Sequence, residues 1–124
     1  MPPIRRRPRR LLLPPLPLPP EPPRRTLLHT CPVAGFQFHE GPRVFGALAP
    51  GDAVDLVREP ANPHDRRAVA LHWKGRKLGF VPRDENGLAS SLMDQGKTLR
   101  GTVAALGDPD VPWSCVEVAI WLED

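Results

Sequence analysis

In Leu56–Arg83, LVREPANPHDRRAVALHWKGRKLGFVPR, apolar runs at the two ends enclose a polar loop that carries two prolines. The loop, Glu59-Pro60-Ala61-Asn62-Pro63-His64-Asp65, is stiff by composition: each proline fixes its own φ and restricts the residue before it. Asn62 and Asp65 are residue types whose side chains bond back to nearby backbone and so shape turns. Such a loop between strands suits either a buried corner or a preorganised ligand pocket. Around it, Ala53–Arg58 reads as the strand that enters the loop and Ala68–Trp73 as the strand that leaves it. Lys74-Gly75-Arg76-Lys77 then forms a hairpin turn into a further strand, Leu78–Pro82.

Upstream, Cys31-Pro-Val33-Ala-Gly35-Phe36-Gln-Phe38-His39 reads as a first strand with Gly35 at a bulge or close backbone approach. By the two-residue period, Phe36 and Phe38 share a face. Val44-Phe45 is a short strand or a link, bracketed by the turn signals Gly41-Pro42 and Pro50-Gly51-Asp52. Downstream the period changes. Asp84 or Asn86 caps a helix over roughly Gly87–Gln95, with Leu88, Ala89, Leu92 and Met93 on one face and Gly96 at the C-terminal cap. Leu99–Leu106 and Trp113–Leu122 close the chain as strands joined by Gly107–Pro112. Many short strands, Gly/Pro turns and a lone helix predict a mainly β fold: a small, closed, OB-like antiparallel β-barrel with one or two short helices.

The 124 residues allow one domain with a modest core. The formal charge of +3 divides unevenly. Residues 1–26 hold seven arginines against Glu21, a net +6, while the other 98 residues hold ten basic and thirteen acidic side chains, a net −3. The same 26 residues hold ten of the 18 prolines, a density that removes backbone donors and favours disorder or polyproline II. The expected division is therefore a Pro/Arg-rich tail at 1–26 and a mildly acidic domain at 27–124. Polyanion binding by that domain must come from local placement of charge. The tail's leucines are interrupted by Pro14, Pro15, Pro17, Pro19 and Pro20, unlike the apolar run of a signal peptide. No run approaches the roughly 20 apolar residues that span a bilayer. A cytoplasmic protein is expected, associated with the nucleoid if the source is bacterial.

The chain offers little to catalysis. It has no phosphate loop, no His-Glu-x-x-His and no nucleophile elbow. Cys31 and Cys115 form no metal pattern and read as two reduced, buried thiols. The four histidines show no ligand spacing, and Glu59 with Asp65 is a weak basis for acid–base chemistry. No enzyme activity, metal or cofactor is expected. A concave surface with aromatic faces (Phe38, His64, Phe80, Trp113), cations (Arg66, Arg67, Arg83) and one acceptor, Asp65, suits a single-stranded nucleic acid, because bases stack on aromatic side chains. Each residue also has a plainer role. Phe36, Phe38 and Phe80 suit a core, Arg66 and Arg67 a solvated loop, and Asp65 the capping of its own turn.

Val33-Ala-Gly35, Gly51-Asp52, Leu56-Val-Arg-Glu59-Pro60-x-Asn62-Pro63-His64-Asp65-x-x-Ala68-Val69 and Gly79-Phe80-Val81-Pro82-Arg83 together resemble the HIRAN domain across roughly residues 29–124. That domain occurs at the N-terminus of SWI2/SNF2-type DNA remodelling helicases and as small stand-alone bacterial proteins. The resemblance implies an OB-like barrel that captures a free 3′-hydroxyl end of single-stranded DNA, in repair or replication-fork processing, with helicases or other repair proteins as partners. It places Asp65 as the acceptor for the terminal hydroxyl and His64 where a tyrosine stacks near the terminal sugar. Phe38 is implied as a first-strand aromatic of the pocket, Phe80 as a residue touching bases, Arg83 at the last phosphates and Trp113 on the pocket wall. Gln37 stands where an arginine holds the DNA, and His39 where a second aromatic is expected. The competing reading is a protein-interaction or regulatory β-barrel that takes a peptide or small ligand.

Overall fold

A computed structural model describes residues 15–17 and 24–124. Most of the tail expected at 1–26 therefore lies outside the described residues. Six strands form one antiparallel sheet: β1 (Arg25–Pro32), β2 (Ala53–Arg58), β3 (Val69–Trp73), β4 (Arg76–Phe80), β5 (Thr98–Leu106) and β6 (Val116–Glu123). Their order is β1-β6-β5-β2-β3-β4. β1 starts at Arg25, paired with Glu123, two residues before the change in composition.

The expected barrel is realised as a sheet wrapped on itself, without a continuous ladder between its edges. The edges meet at one bridge, where Ala34 N–H donates to Phe80 O (2.8 Å) and Phe80 N–H donates to Ala34 O (2.9 Å). Gly79 permits this approach, because a Cβ there would collide with the Ala34 carbonyl. Inside the wrap, Phe36, Leu71, Leu78, Ile120 and a set of valines from β2, β3, β5 and β6 are fully buried. Each such side chain contributes about 1.5–3 kcal/mol by leaving water. The alternation expected along the last strand holds, with Val116, Val118 and Ile120 turned into the core.

The structure corrects the sequence reading of residues 31–39. β1 ends at Pro32, and Gly35, at φ +73°, turns the chain into a 3-10 helix over Phe36–Phe38. Three residues per turn separate i from i+2, so Phe36 and Phe38 do not share a face. Phe36 enters the core at 1% exposure and Phe38 points out at 80%. Val44-Phe45 belongs to no strand either. Pro42 sits in the first turn of a short helix, α1 (Gly41–Val44), which passes into a second 3-10 helix at Phe45–Ala47. The later helix, α2 (Gly87–Asp94), falls within the expected span. Its inner face is made by Ala89, Ser90, Leu92 and Met93, while Leu88, expected on that face, is exposed. The final strand is shorter than expected, because Trp113 lies in the turn before β6.

Candidate nucleic-acid interface

The ten-residue connection from Glu59 to Ala68 between β2 and β3 makes its own hydrogen bonds in place of a ladder. Its neck is shut by Glu59 N–H to Ala68 O (3.0 Å). Within it, Asn62 Oδ1 accepts the His64 N–H (2.9 Å) and Asp65 Oδ1 accepts the Arg67 N–H (2.9 Å), two turns of the same kind in tandem. Arg58, at the end of β2, fixes the returning limb by donating to Ala68 O (2.7 Å) and Arg66 O (3.0 Å). Its guanidinium also grips Asp94 of α2 at 2.9 and 3.2 Å. Loop, sheet and helix are thereby joined through one side chain.

This loop forms one wall of a cavity of about 280 Å³, opposite the bridge that closes the sheet. The lining includes His64 and Asp65 from the loop, Phe80 and Arg83 from the end of β4 and beyond, and Gly35 and His39 from the 3-10 turn. The His39 ring meets Phe80 edge-on, with centroids 5.5 Å apart. Lys77 Nζ lies 4.2 Å from the Phe80 centroid and forms a 2.7 Å ion pair with Glu59. Burial, followed by the charge of Lys77, lowers the His39 pKa, which favours the neutral imidazole. The hydrogen bond from Lys77 lowers that of Glu59. A second, more polar groove of about 510 Å³ continues past Asn62, His64, Asp65, Arg66 and Arg83.

Asp65 stands where the two spaces join. One carboxylate oxygen caps its own turn. The other accepts from Asn86 Nδ2 at 2.7 Å, and each oxygen keeps a lone pair for a further donor. The Arg67 N–H, then the Asn86 amide and the charge of Arg83, hold its carboxyl below the usual carboxylate range. Asn86 is 1% exposed, immediately before α2, yet its side chain makes no cap bond to that helix. It reaches back to the loop instead. The sequence signal for a cap was real, but the amide serves Asp65. Among the described residues, Arg66, Arg67 and Arg83 have no carboxylate within ion-pair distance, and two of them, Arg66 and Arg83, line the grooves and are available to a ligand.

Of the residues singled out in the sequence, the structure brings together His64, Asp65, Phe80 and Arg83. Gln37 and Phe38 are exposed and line neither space. Trp113, 67% exposed, lines a separate groove with Pro32 and Leu106. Gly35, His39, Asn62 and Asn86 complete the site. Only Gly35 carried a strong local signal of a special backbone. Among the described residues, no three His, Cys, Asp or Glu side chains gather as a metal site would require, and no helix is long and apolar enough to cross a membrane. Cys31 and Cys115 are both free and buried; burial, then the charges of Glu85 and Glu117, push the Cys31 thiol up to about 12.

A crystal structure of a protein from Lactobacillus plantarum superposes with a TM-score of 0.74 at 30% identity, covering 83% of this chain and 99% of that one. The HIRAN domain of human HLTF superposes with a TM-score of 0.59 at 19% identity, covering 81% of each chain, and speaks for the fold alone. No curated protein matches in sequence. Residues 28–123 match the family model of the HIRAN domain, nearly all of the wrapped sheet described above, and the chain belongs to that family.

Proposed function

We propose that this chain is a non-enzymatic binding module that captures the 3′-hydroxyl end of single-stranded DNA, acting in the cytoplasm in DNA repair or replication-fork processing. The observation that carries the reading is the placement of Asp65. Its carboxylate is ionised, oriented by two donors from different elements, and set at the mouth of an aromatic-walled cavity beside Arg83. A terminal hydroxyl is a hydrogen-bond donor that an internal phosphodiester lacks, so a preoriented carboxylate separates ends from interiors. A terminal phosphate is repelled at the same place. Phe80 and His64 offer faces to the last nucleotide, and Arg83 with Arg66 lies along the polar groove where the preceding phosphates would run. Helicases or other repair proteins are the partners this role calls for.

The small aliphatic surfaces of the inner cavity (Ala34, Ala68, Val81) also suit an apolar group of a peptide or small ligand, the second reading. Fluorescence anisotropy of the full chain with a short single-stranded DNA ending in a 3′-hydroxyl or a 3′-phosphate separates the two. Tighter binding of the hydroxyl end is expected. Equal binding of both ends rejects end capture, and binding of neither moves the site to peptides and small ligands.

A further inference from the structure

The groove beside Trp113 lies apart from the Asp65 site and has a different chemistry. It measures about 450 Å³ and is lined by Pro32, Ala105, Leu106, Gly107, Trp113 and Glu117 at the end of β1 and the β5–β6 turn. Its floor is apolar and its tryptophan is open to solvent. The turn that carries Trp113 also carries Asp108 and Asp110. These two and Glu117 are exposed and have no cation within ion-pair distance among the described residues. An exposed tryptophan beside proline and leucine, rimmed by three carboxylates, fits a ligand that is proline-rich, leucine-bearing and cationic. Proline-rich segments dock on aromatic grooves because their extended helix is already formed. Arginines beyond them would meet the carboxylates or stack on the indole.

The chain contains such a segment. Residues 1–14, MPPIRRRPRRLLLP, hold five arginines, four prolines and three consecutive leucines. Its reach also matches. Arg24 is fixed at the far end of β1, where its carbonyl accepts the Asp124 N–H (2.9 Å). From there β1 runs about 23 Å to Pro32 at the groove. Polyproline II advances about 3.1 Å per residue, so the eight residues from Pro17 to Arg24 would suffice to cover that distance back along β1. Leu11–Pro14 would then reach Trp113, and Arg5–Arg10 would reach Asp108 and Asp110. We propose that the Trp113 groove is the docking site for residues 5–14 of the same chain, held by Leu/Pro contact with the indole and by arginine–carboxylate pairing at the rim. Tethering makes the encounter intramolecular, so weak contacts suffice.

The test is paramagnetic broadening in the full-length protein. A nitroxide is attached at Leu16→Cys, an exposed position just outside the docking residues, the native Cys31 and Cys115 being buried, and the three tryptophan indole N–H signals are followed. The Trp113 signal is expected to lose most of its intensity and to regain it when the nitroxide is reduced. It should also regain intensity in the triple variant Asp108→Asn/Asp110→Asn/Glu117→Gln, which keeps the side-chain shapes. An unchanged Trp113 signal overturns the proposal, as does broadening that survives the triple variant. Broadening seen only between labelled and isotope-enriched chains mixed together assigns the groove to a second copy and overturns docking in the same chain. Broadening that appears only after single-stranded DNA is added assigns the arginines to nucleic acid instead.

Discussion

Asp65 and Asp108 sit in the same local structure. Each is an aspartate in a proline-containing connection between antiparallel strands, Asp65 half-buried and Asp108 exposed. Each accepts the N–H two residues on, from Arg67 and Asp110, at 2.9 Å. Beyond that turn the two regions diverge. The Glu59–Ala68 loop is gripped by Arg58 from the sheet and by Asn86 from the threshold of α2, and its aspartate looks into a cavity. Among the described residues, the Gly107–Pro112 turn is held from beyond itself by the Cys115 thiol, a weak donor to Pro112 O (3.6 Å) three residues back, and its aspartates are exposed. Turn chemistry makes an aspartate bend its own chain; partners distant in sequence make it a site.

The sharpest way to break this contrast is to remove each carboxylate. Asp65→Ala is expected to weaken binding of a 3′-hydroxyl end on the order of tenfold to a hundredfold, the loss of a hydrogen bond to a charged acceptor, and to abolish preference over a 3′-phosphate. Asp108→Ala is expected to leave both unchanged in the same anisotropy titration. Equal losses from the two would mean that the carboxylates act only through general charge.

Stability sharpens it next. Arg58→Ala leaves the Arg66 carbonyl without its side-chain donor, leaves Ala68 O with the Glu59 N–H alone, and releases the returning limb of the loop from β2. It is expected to cost about 1–3 kcal/mol in urea unfolding, seen as a lower midpoint at an unchanged slope. Pro112→Ala, in the more weakly held turn, should shift stability by under about 1 kcal/mol. A still smaller effect isolates Asn86. Asn86→Ala should weaken end binding about threefold to tenfold, and the double variant with Asp65→Ala should bind no worse than Asp65→Ala alone. Additive losses would show that Asn86 acts on the ligand or the fold independently of Asp65.

The same contrast explains what could be read from the sequence. The strands around the loop, a hairpin after Trp73, α2 and the alternation of β6 are local or periodic signals and emerge close to where expected. The turn, however, takes only Lys74-Gly75, and β4 starts at Arg76, inside the turn expected at Lys74–Lys77. The stiffness of Glu59–Asp65 was legible because Pro60, Pro63, Asn62 and Asp65 act on their own neighbourhood. Residues 33–39 were misread because Gly35 could serve either a bulge or a left-handed turn, and only the second sends Phe36 inward and Phe38 outward. Asn86 was legible as a residue at a helix start but not as a partner of Asp65, since 21 residues separate them and no periodicity links them. Trp113 looked like a pocket aromatic on type alone, and the turn before β6 carries it to a different face.

The smallest effect concerns protons, and its sign follows from the geometry. The Arg67 N–H and the Asn86 amide donate to the ionised form of Asp65, so its folded pKa lies below the usual value near 3.9. For a carboxyl depressed in this way, the associated stability is fully present above the unfolded pKa and is lost as pH falls through the lower, folded one. End binding that depends on this carboxylate should therefore be flat from pH 8 to 5 as far as Asp65 is concerned, and fail only in acid. Asn86→Ala removes one of the two donors and should move the Asp65 titration upward, toward the ordinary value, without reversing it. The Asp65 carboxyl carbon shift, followed by NMR in both proteins, reads this directly. An Asp65 that titrates at or above the ordinary value, or one that ignores Asn86→Ala, would show that the second grip on the loop does not reach its carboxylate. The difference between Asp65 and Asp108 would then rest on the cavity alone.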